Sequence, residues 1–427
     1  MTFNYRENER TAGIVRHSCG ILFILFSLSY LIFMQGELIA KAQYAFSEGV
    51  TSYSILLGAI IITAILRILQ IPVDKYLKLP IRFHAITYIP SILILTILCD
   101  ANDEVVHKFS LGWWWIGIPI TLIATYVLAQ LAKYLEFYVI SSSSYNNTSP
   151  FIWPNFAILA LLLIWCGNCH SAHDDYMFEQ KVERLVIDGD YDDALKVGQM
   201  SLAANRRLTN MRMFALDQLG VLPDRLFEYP QYYGSDGLIA IEDTDTIVNR
   251  FSARNLFDSF GCYPNQDVKS LQQYFNLLEE LIMLTEDSLM SIEISKATNK
   301  DSIQKEIDKR YIQLKDEKRR VDNYILCAML LDRDLDSFTE KVKIAYMDLH
   351  NPDTVVPLDS LPTVYRQALI MVYPELGDTT MLKQYGEFVE LKESENDSTV
   401  SSNITRRQFG NTFWWYYFNN SITKTKL

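Results

Sequence analysis

Long uncharged apolar runs dominate the first 170 residues, and apolar residues at helical spacing continue through the rest of the chain. A helix needs about 20 apolar residues to cross a bilayer, because lipid leaves every backbone polar group to be satisfied within the segment. Five runs approach that length, predicting spans at about 17–36, 49–66, 83–99, 109–132 and 151–168. The third carries His84 and Pro90. A proline at that position kinks a helix, so a re-entrant third segment is the alternative, and it would reverse the side on which the remainder lies. Ala40-Lys41-Ala42 has the small-residue form of a signal-peptidase site, but the apolar run and the tail before it are longer than a signal peptide's.

Lysine and arginine in short flanks set orientation. Arg6, Arg10, Arg16, Arg67, Lys75, Lys78, Arg82 and Lys133 fall on one side, and Lys41 and Lys108 on the other. The expectation is a cytoplasmic N-terminus in the inner (cytoplasmic) membrane and a periplasmic C-terminal domain. Trp113, Trp114 and Trp115 sit where an interfacial aromatic belt belongs.

Beyond residue 170 the period becomes that of amphipathic helices. Two stretches share one form: LVIDGDYDDALKVG, centred on Asp188-Gly189-Asp190, and MLLDRDLDSFTEKV, centred on Asp332-Arg333-Asp334. Each is an apolar run, a D-x-D turn whose second aspartate can cap the next helix, and another amphipathic run. That is a helical hairpin, the unit that stacks into solenoids. GDYDDAL resembles the turn of a tetratricopeptide repeat, although no 34-residue period runs through the domain. Further helices are predicted at about 208–219, 245–260, 266–296, 301–331, 361–373, 379–393 and 403–419, with a polar loop near 394–404. The predicted fold is all-α: a transmembrane domain over residues 1–170, then a soluble helical-hairpin domain over 171–427.

Charge separates the same two parts. Residues 1–170 hold 10 Lys/Arg and 9 Asp/Glu, whereas residues 171–427 hold 29 and 42, a net charge of −13. An acidic domain without a basic stripe repels nucleic acid.

LFEYPQYYGSDGL (Leu226–Leu238), AMLLDRDLDSF (Ala328–Phe338), LPTVYRQALI (Leu361–Ile370) and QFGNTFWWYYF (Gln408–Phe418) resemble landmarks of a family of bacterial multi-pass inner-membrane proteins of unknown function. That family has a tetratricopeptide-like C-terminal domain. The resemblance implies architecture and no activity.

The sharpest chemical motif is Cys166-Gly-Asn-Cys169-His170, with Trp165 before it and His173 after it. CxxCH is the attachment motif of c-type haem, WCxxC resembles a thioredoxin-type redox pair, and Cys166, Cys169, His170 and His173 are a possible metal-ligand set. The cysteines follow an apolar helix, and a helix C-terminus disfavours thiolate. The plainer reading, which we favour, is a pair of thiols at a membrane exit, either free or joined in a Cys166–Cys169 disulfide. Cys262 and Cys327 are either a second disulfide or two buried thiols.

Intramembrane polar residues mark transport paths. His84, Asn155 and Glu136 are the candidates, with a satisfied interhelical hydrogen bond as the plainer reading. Glu37, Asp100, Asp103 and Glu104 lie in outer loops, as in membrane glycosyltransferases, but the first loop is too short to build such a site. The aromatic run Phe413–Phe418 reads as core or as a membrane-interface contact. Gly-rich phosphate loops, GxSxG and HExxH are absent. The expected function is a protein-interaction scaffold whose partners are the lipid bilayer and a protein. The alternative is a cell-envelope enzyme or transporter acting on lipid-linked or surface material.

Overall fold

A computed structural model describes residues 2–47, 50–99, 113–139, 149–168, 174–239, 250–261, 270–296, 304–346, 360–394 and 397–419. The regular structure among those residues is helical, with no strand. The chain divides into two compact units, Met1–His173 and Asp174–Leu427.

In the N-terminal unit, α1 (Thr2–Ser29) runs into a π turn at Tyr30–Met34, followed by α2 (Gly36–Phe46) and α3 (Ile55–Leu77). A 3-10 segment (Ile81–Tyr88) leads into α4 (Ile89–Cys99), then come α5 (Trp114–Val139) and α6 (Ser149–Asn168). Among the described residues, five helical stretches are long and apolar enough to cross a membrane: Ala12–Met34, Ile55–Leu77, Ile81–Cys99, Trp114–Leu135 and Phe151–Asn168. Their outer faces carry exposed Ile60, Ile61, Ile65, Ile68, Ile120 and Ile123, the surface a bilayer requires and water penalises.

The second span differs most from expectation. It starts at Ile55 and continues past Arg67 to Leu77. Counting uncharged residues ended it at Arg67. The helix goes on through Pro72, with the Arg67 guanidinium donating to Gln70 one turn ahead. Arg67 thus belongs to a candidate span and not to a loop. α1 and α3 run antiparallel: Arg16 pairs with Asp74 at 3.4 Å and Gly20 lies against the Arg67 guanidinium, while Gly36 at the start of α2 lies against Ile55.

The third span is the most enclosed of the five. Pro90 falls in the first turn of α4, where a missing N–H is tolerated, and the preceding turns tighten to 3-10. Asn155 of α6 stitches this segment in place. Its Oδ1 accepts from the Ala85 N–H at 2.7 Å, and its Nδ2 donates to the Ile81 and Phe151 carbonyls, both at 2.7 Å.

In the C-terminal unit, α7 (Asp174–Asp188) and α8 (Tyr191–Lys196) form the first hairpin. α9 (Arg206–Gln218), α10 (Leu222–Arg225), a 3-10 turn (Gly234–Leu238) and α11 (Ala253–Ser259) follow. α12 (Leu271–Lys296) and α13 (Gln304–Leu331) make a long antiparallel pair. Lys318 of α13 reaches Glu286 of α12 at 3.2 Å. α14 (Leu335–Tyr346), α15 (Thr363–Val372), α16 (Thr379–Glu393), α17 (Ser398–Phe409) and α18 (Phe413–Asn419) complete it.

The two D-x-D turns fold alike. Gly189 and Arg333 both adopt left-handed backbone, with φ of 85° and 62°. The Asp190 N–H donates to the Leu185 carbonyl at 2.8 Å and the Asp334 N–H to the Met329 carbonyl at 2.9 Å, the 6→1 bond of a Schellman turn. Capping differs: Asp334 Oδ1 accepts from the Ser337 N–H at 3.0 Å, whereas the Asp190 side chain makes no cap bond to α8. A Cβ on Gly189 would meet no neighbour, so Gly189→Ala isolates the conformational cost. We expect it to destabilise the C-terminal unit by about 1 kcal/mol, read from the urea midpoint.

Two expectations near the C-terminus change. The polar stretch 394–404 is largely helix, because Asp397 caps α17 by accepting from Thr399 N at 2.8 Å and Val400 N at 3.4 Å. The helix predicted at 403–419 is broken between Phe409 and Phe413. Phe413, Trp414 and Tyr416 are buried. Trp414 Nε1 donates to the Gln367 carbonyl and the Tyr416 hydroxyl to the Leu331 carbonyl.

Candidate functional site: a polar groove in the C-terminal unit

Asp217 ends α9 almost fully buried, with Arg320 of α13 donating to it at 2.5 Å. Arg320 also donates to the Ser259 carbonyl at 3.1 Å and lies over the Phe260 ring. Burial outweighs the guanidinium and holds the Asp217 carboxyl above its ordinary value. One turn further along α13, Asn323 Oδ1 accepts from the Tyr346 hydroxyl at 2.8 Å and from the Tyr365 hydroxyl at 3.2 Å. Burial raises both tyrosines above their usual range, so both stay protonated donors. With Oδ1 held in this way, the Asn323 amide turns its N–H donors elsewhere.

Around this pair lie two abutting clefts of about 360 and 250 Å³. They share Gly220, Pro223, Arg319 and Asn323. Asp316 and Arg320 extend one end, and Asp224, Tyr346 and Leu361 the other. Arg319 stands over the Tyr346 ring at 5.1 Å, which restrains it. Asp224 Oδ1 accepts from the Thr363 N–H at 2.9 Å, tying α10 to the start of α15. The result is one groove with fixed donors (Arg319, Asn323), acidic groups (Asp316, Asp224) and apolar walls (Leu222, Pro223). Such a lining suits an extended peptide segment, which offers carbonyls, N–H groups and side chains together.

The sequence model of DUF6057, described as a family of unknown function, matches residues 103–258 and 276–420. The chain belongs to this family. The matched stretches take in the last two candidate spans and every groove residue named above, whereas Arg16, Arg67, Asp74 and His84 precede them. No curated protein and no solved structure matches the chain.

The motif residues are distributed unevenly. The Cys166 side chain is fully buried in the core of the N-terminal unit. Cys169, His170 and His173 lie outside the described residues, as do Asp100, Asp103, Glu104 and Cys262 and the Glu136 side chain. Among the described residues no three His, Cys, Asp or Glu side chains gather to hold a metal ion. Cys327 carries a free buried thiol 3.6 Å from the Tyr365 hydroxyl, and burial pushes it up to about 12. Glu37 lies in the first turn of α2. His84 and Asn155 both have partners, His84 Nδ1 standing 3.1 Å from Asp74 Oδ1.

The sequence reading missed the groove. Its one available signal was Asp316, Arg319, Arg320 and Asn323, charged and amide side chains at i, i+3, i+4 and i+7 of one helix face, directly before the apolar run YILCAMLL. Asp217 and Tyr346 come from distant helices, and no spacing rule connects them.

Proposed function

We propose that the protein is a multi-pass bacterial inner-membrane scaffold whose C-terminal unit, a tetratricopeptide-like array of helical hairpins, binds a protein partner in the periplasm. The observation that carries this reading is the groove itself, in which Asn323 is held by two tyrosines and fixed donors stand beside acidic groups and apolar walls. The paired D-x-D hairpins support the tetratricopeptide likeness. A stripe of exposed Met283, Met290 and Ile294 along α12 offers a second apolar surface for a partner.

Photocrosslinking in intact cells tests the groove. A photoreactive residue at exposed Asp316 is expected to yield a discrete protein adduct that disappears when Asn323→Leu and Arg319→Ala are combined. Adduct formation unchanged by that pair would remove the groove from the function. Reporter fusions after Asn146 and after Leu427 test the topology: inside for the first and outside for the second is the expected pattern, and an inside C-terminus would reassign the partner to the cytoplasm.

A further inference from the structure

The N-terminal unit holds a row of polar side chains along the interface of α1, α3 and the third span. At one end Asp74 is partly exposed and engages Arg16 at 3.4 Å and His84 at 3.1 Å. The His84 imidazole is buried and stands edge-on to the Tyr88 ring, with centroids 5.9 Å apart. The Tyr88 hydroxyl is fully buried and makes no hydrogen bond. Deeper along the same interface, Thr63 Oγ1 and Ser27 Oγ are likewise buried without a hydrogen bond. The pairings Arg16 with Asp74, Gly20 with Arg67 and Gly36 with Ile55 run antiparallel, and that register places Ser27 within about one turn of Thr63. At the far end Gln35 Nε2 donates to the Tyr30 hydroxyl at 3.1 Å, and Gln35 Oε1 is buried without a partner. Tyr30 lies in the π turn, and its hydroxyl reaches the Cys166 carbonyl at 3.5 Å.

The row runs the length of a span. Asp74 is near the end of α3 and Ile55 is its first residue, a distance of about 28 Å at 1.5 Å per residue, close to the hydrocarbon thickness. A buried hydroxyl without a partner is destabilising, the more so where lipid supplies no alternative. Threonine and serine elsewhere in these spans escape that cost by donating to backbone carbonyls, as Ser91 does to Leu66 and Thr96 to Ile92. Tyr88, Thr63 and Ser27 do not.

We propose that this row is a proton path across the membrane, loaded at Asp74 and His84 and passed along Tyr88, Thr63, Ser27 and Tyr30, whose hydroxyl Gln35 orients. Each hydroxyl accepts a proton on a lone pair and releases its own, so no group is changed after passage and no co-reactant is consumed. Where hydroxyls are set too far apart for direct transfer, the path requires an ordered water between them. The charged and titratable groups facing the loading pair are Arg16 from α1, Arg67 from α3 and Tyr88 from the third span, with Cys19 of α1 beside Tyr88. Arg67 is the brake. Its guanidinium lies against Gly20 next to the Tyr88 hydroxyl, braced through Gln70 and Thr87, and a fixed cation there excludes metal ions and slows protons. This inference needs nothing from the partner-binding reading.

The test uses the full chain in liposomes enclosing a pH-sensitive dye, with a potassium-diffusion potential as driving force. The expected result is proton entry above that of protein-free vesicles, faster in Arg67→Gln and lost in Asp74→Asn and in the near-isosteric Thr63→Val. Two results would overturn the proposal: neither wild type nor Arg67→Gln exceeding protein-free vesicles, or Asp74→Asn and Thr63→Val both conducting like wild type.

Discussion

Arg320→Met is expected to cost the C-terminal unit about 3–5 kcal/mol, because it strands a buried charge. Asp217 is 3% exposed and takes its ion pair from Arg320; Gln218 of its own helix donates weakly at 3.3 Å. Methionine keeps much of the volume over Phe260 while removing the guanidinium. The loss therefore reports electrostatics more than packing. The sign with pH follows from the direction of the shift. Burial already holds Asp217 above its ordinary value, and removing the cation raises it further. A group raised in the folded state favours folding at low pH and loses that contribution as pH rises through the folded value. The variant should thus be weakest near neutral pH and recover as pH falls. Asp217→Leu combined with Arg320→Met should restore most of the loss, since a buried pair replaced by apolar side chains is often neutral or better. Urea unfolding of wild type, the single variant and the double variant at two pH values decides it. A single variant as stable as wild type would mean that Asp217 is hydrated in solution.

Glu183→Ala should cost about 3 kcal/mol, by removing one buried carboxylate from three charge-assisted or backbone bonds. Glu183 Oε1 accepts from Arg207 Nη2 at 2.5 Å, from the Arg250 N–H at 2.9 Å and from the Phe251 N–H at 3.1 Å. Arg207 also meets Glu179 at 3.0 Å, which in turn accepts from Asn205 at 2.8 Å. Glu183 therefore joins α7, α9 and the segment leading into α11 through one side chain. Glu183→Gln, which keeps the shape and the acceptor but not the charge, should lose less than half as much. Hydrogen exchange at the Phe251 amide gives the local readout: the alanine variant should exchange faster there than the glutamine variant. Equal exchange in both would locate the stabilisation elsewhere.

Much of this architecture is legible in the sequence for a simple reason. Apolar length decides a span and helical period decides a hairpin, and both are local properties. The five candidate spans, the D-x-D turns and the buried aromatics of Phe413–Tyr416 all follow from residues within a few turns of one another. The structure departs from the sequence where a local rule meets a tertiary exception. Charge is costly in lipid, so Arg67 reads as the end of a span; in the folded unit Gln70 and the glycine at position 20 give the guanidinium a place. The polar stretch 394–404 looked like a loop because its residues favour turns, but Asp397 supplies the cap that lets Ser398 start a helix.

The candidate sites divide in the same way. The sequence by itself determined that the chain has an apolar helical half and an acidic helical half, with His84 and Asn155 set inside apolar segments. Only the tertiary structure decided what those residues touch: it set Asp74 beside His84, aligned Ser27 with Thr63 by an antiparallel register, and closed a groove from Asp217, Asn323 and Tyr346. Helix periodicity ranks positions along one helix. Which face of one helix meets which face of another is fixed by packing between segments scores of residues apart, and no pattern along the chain encodes it.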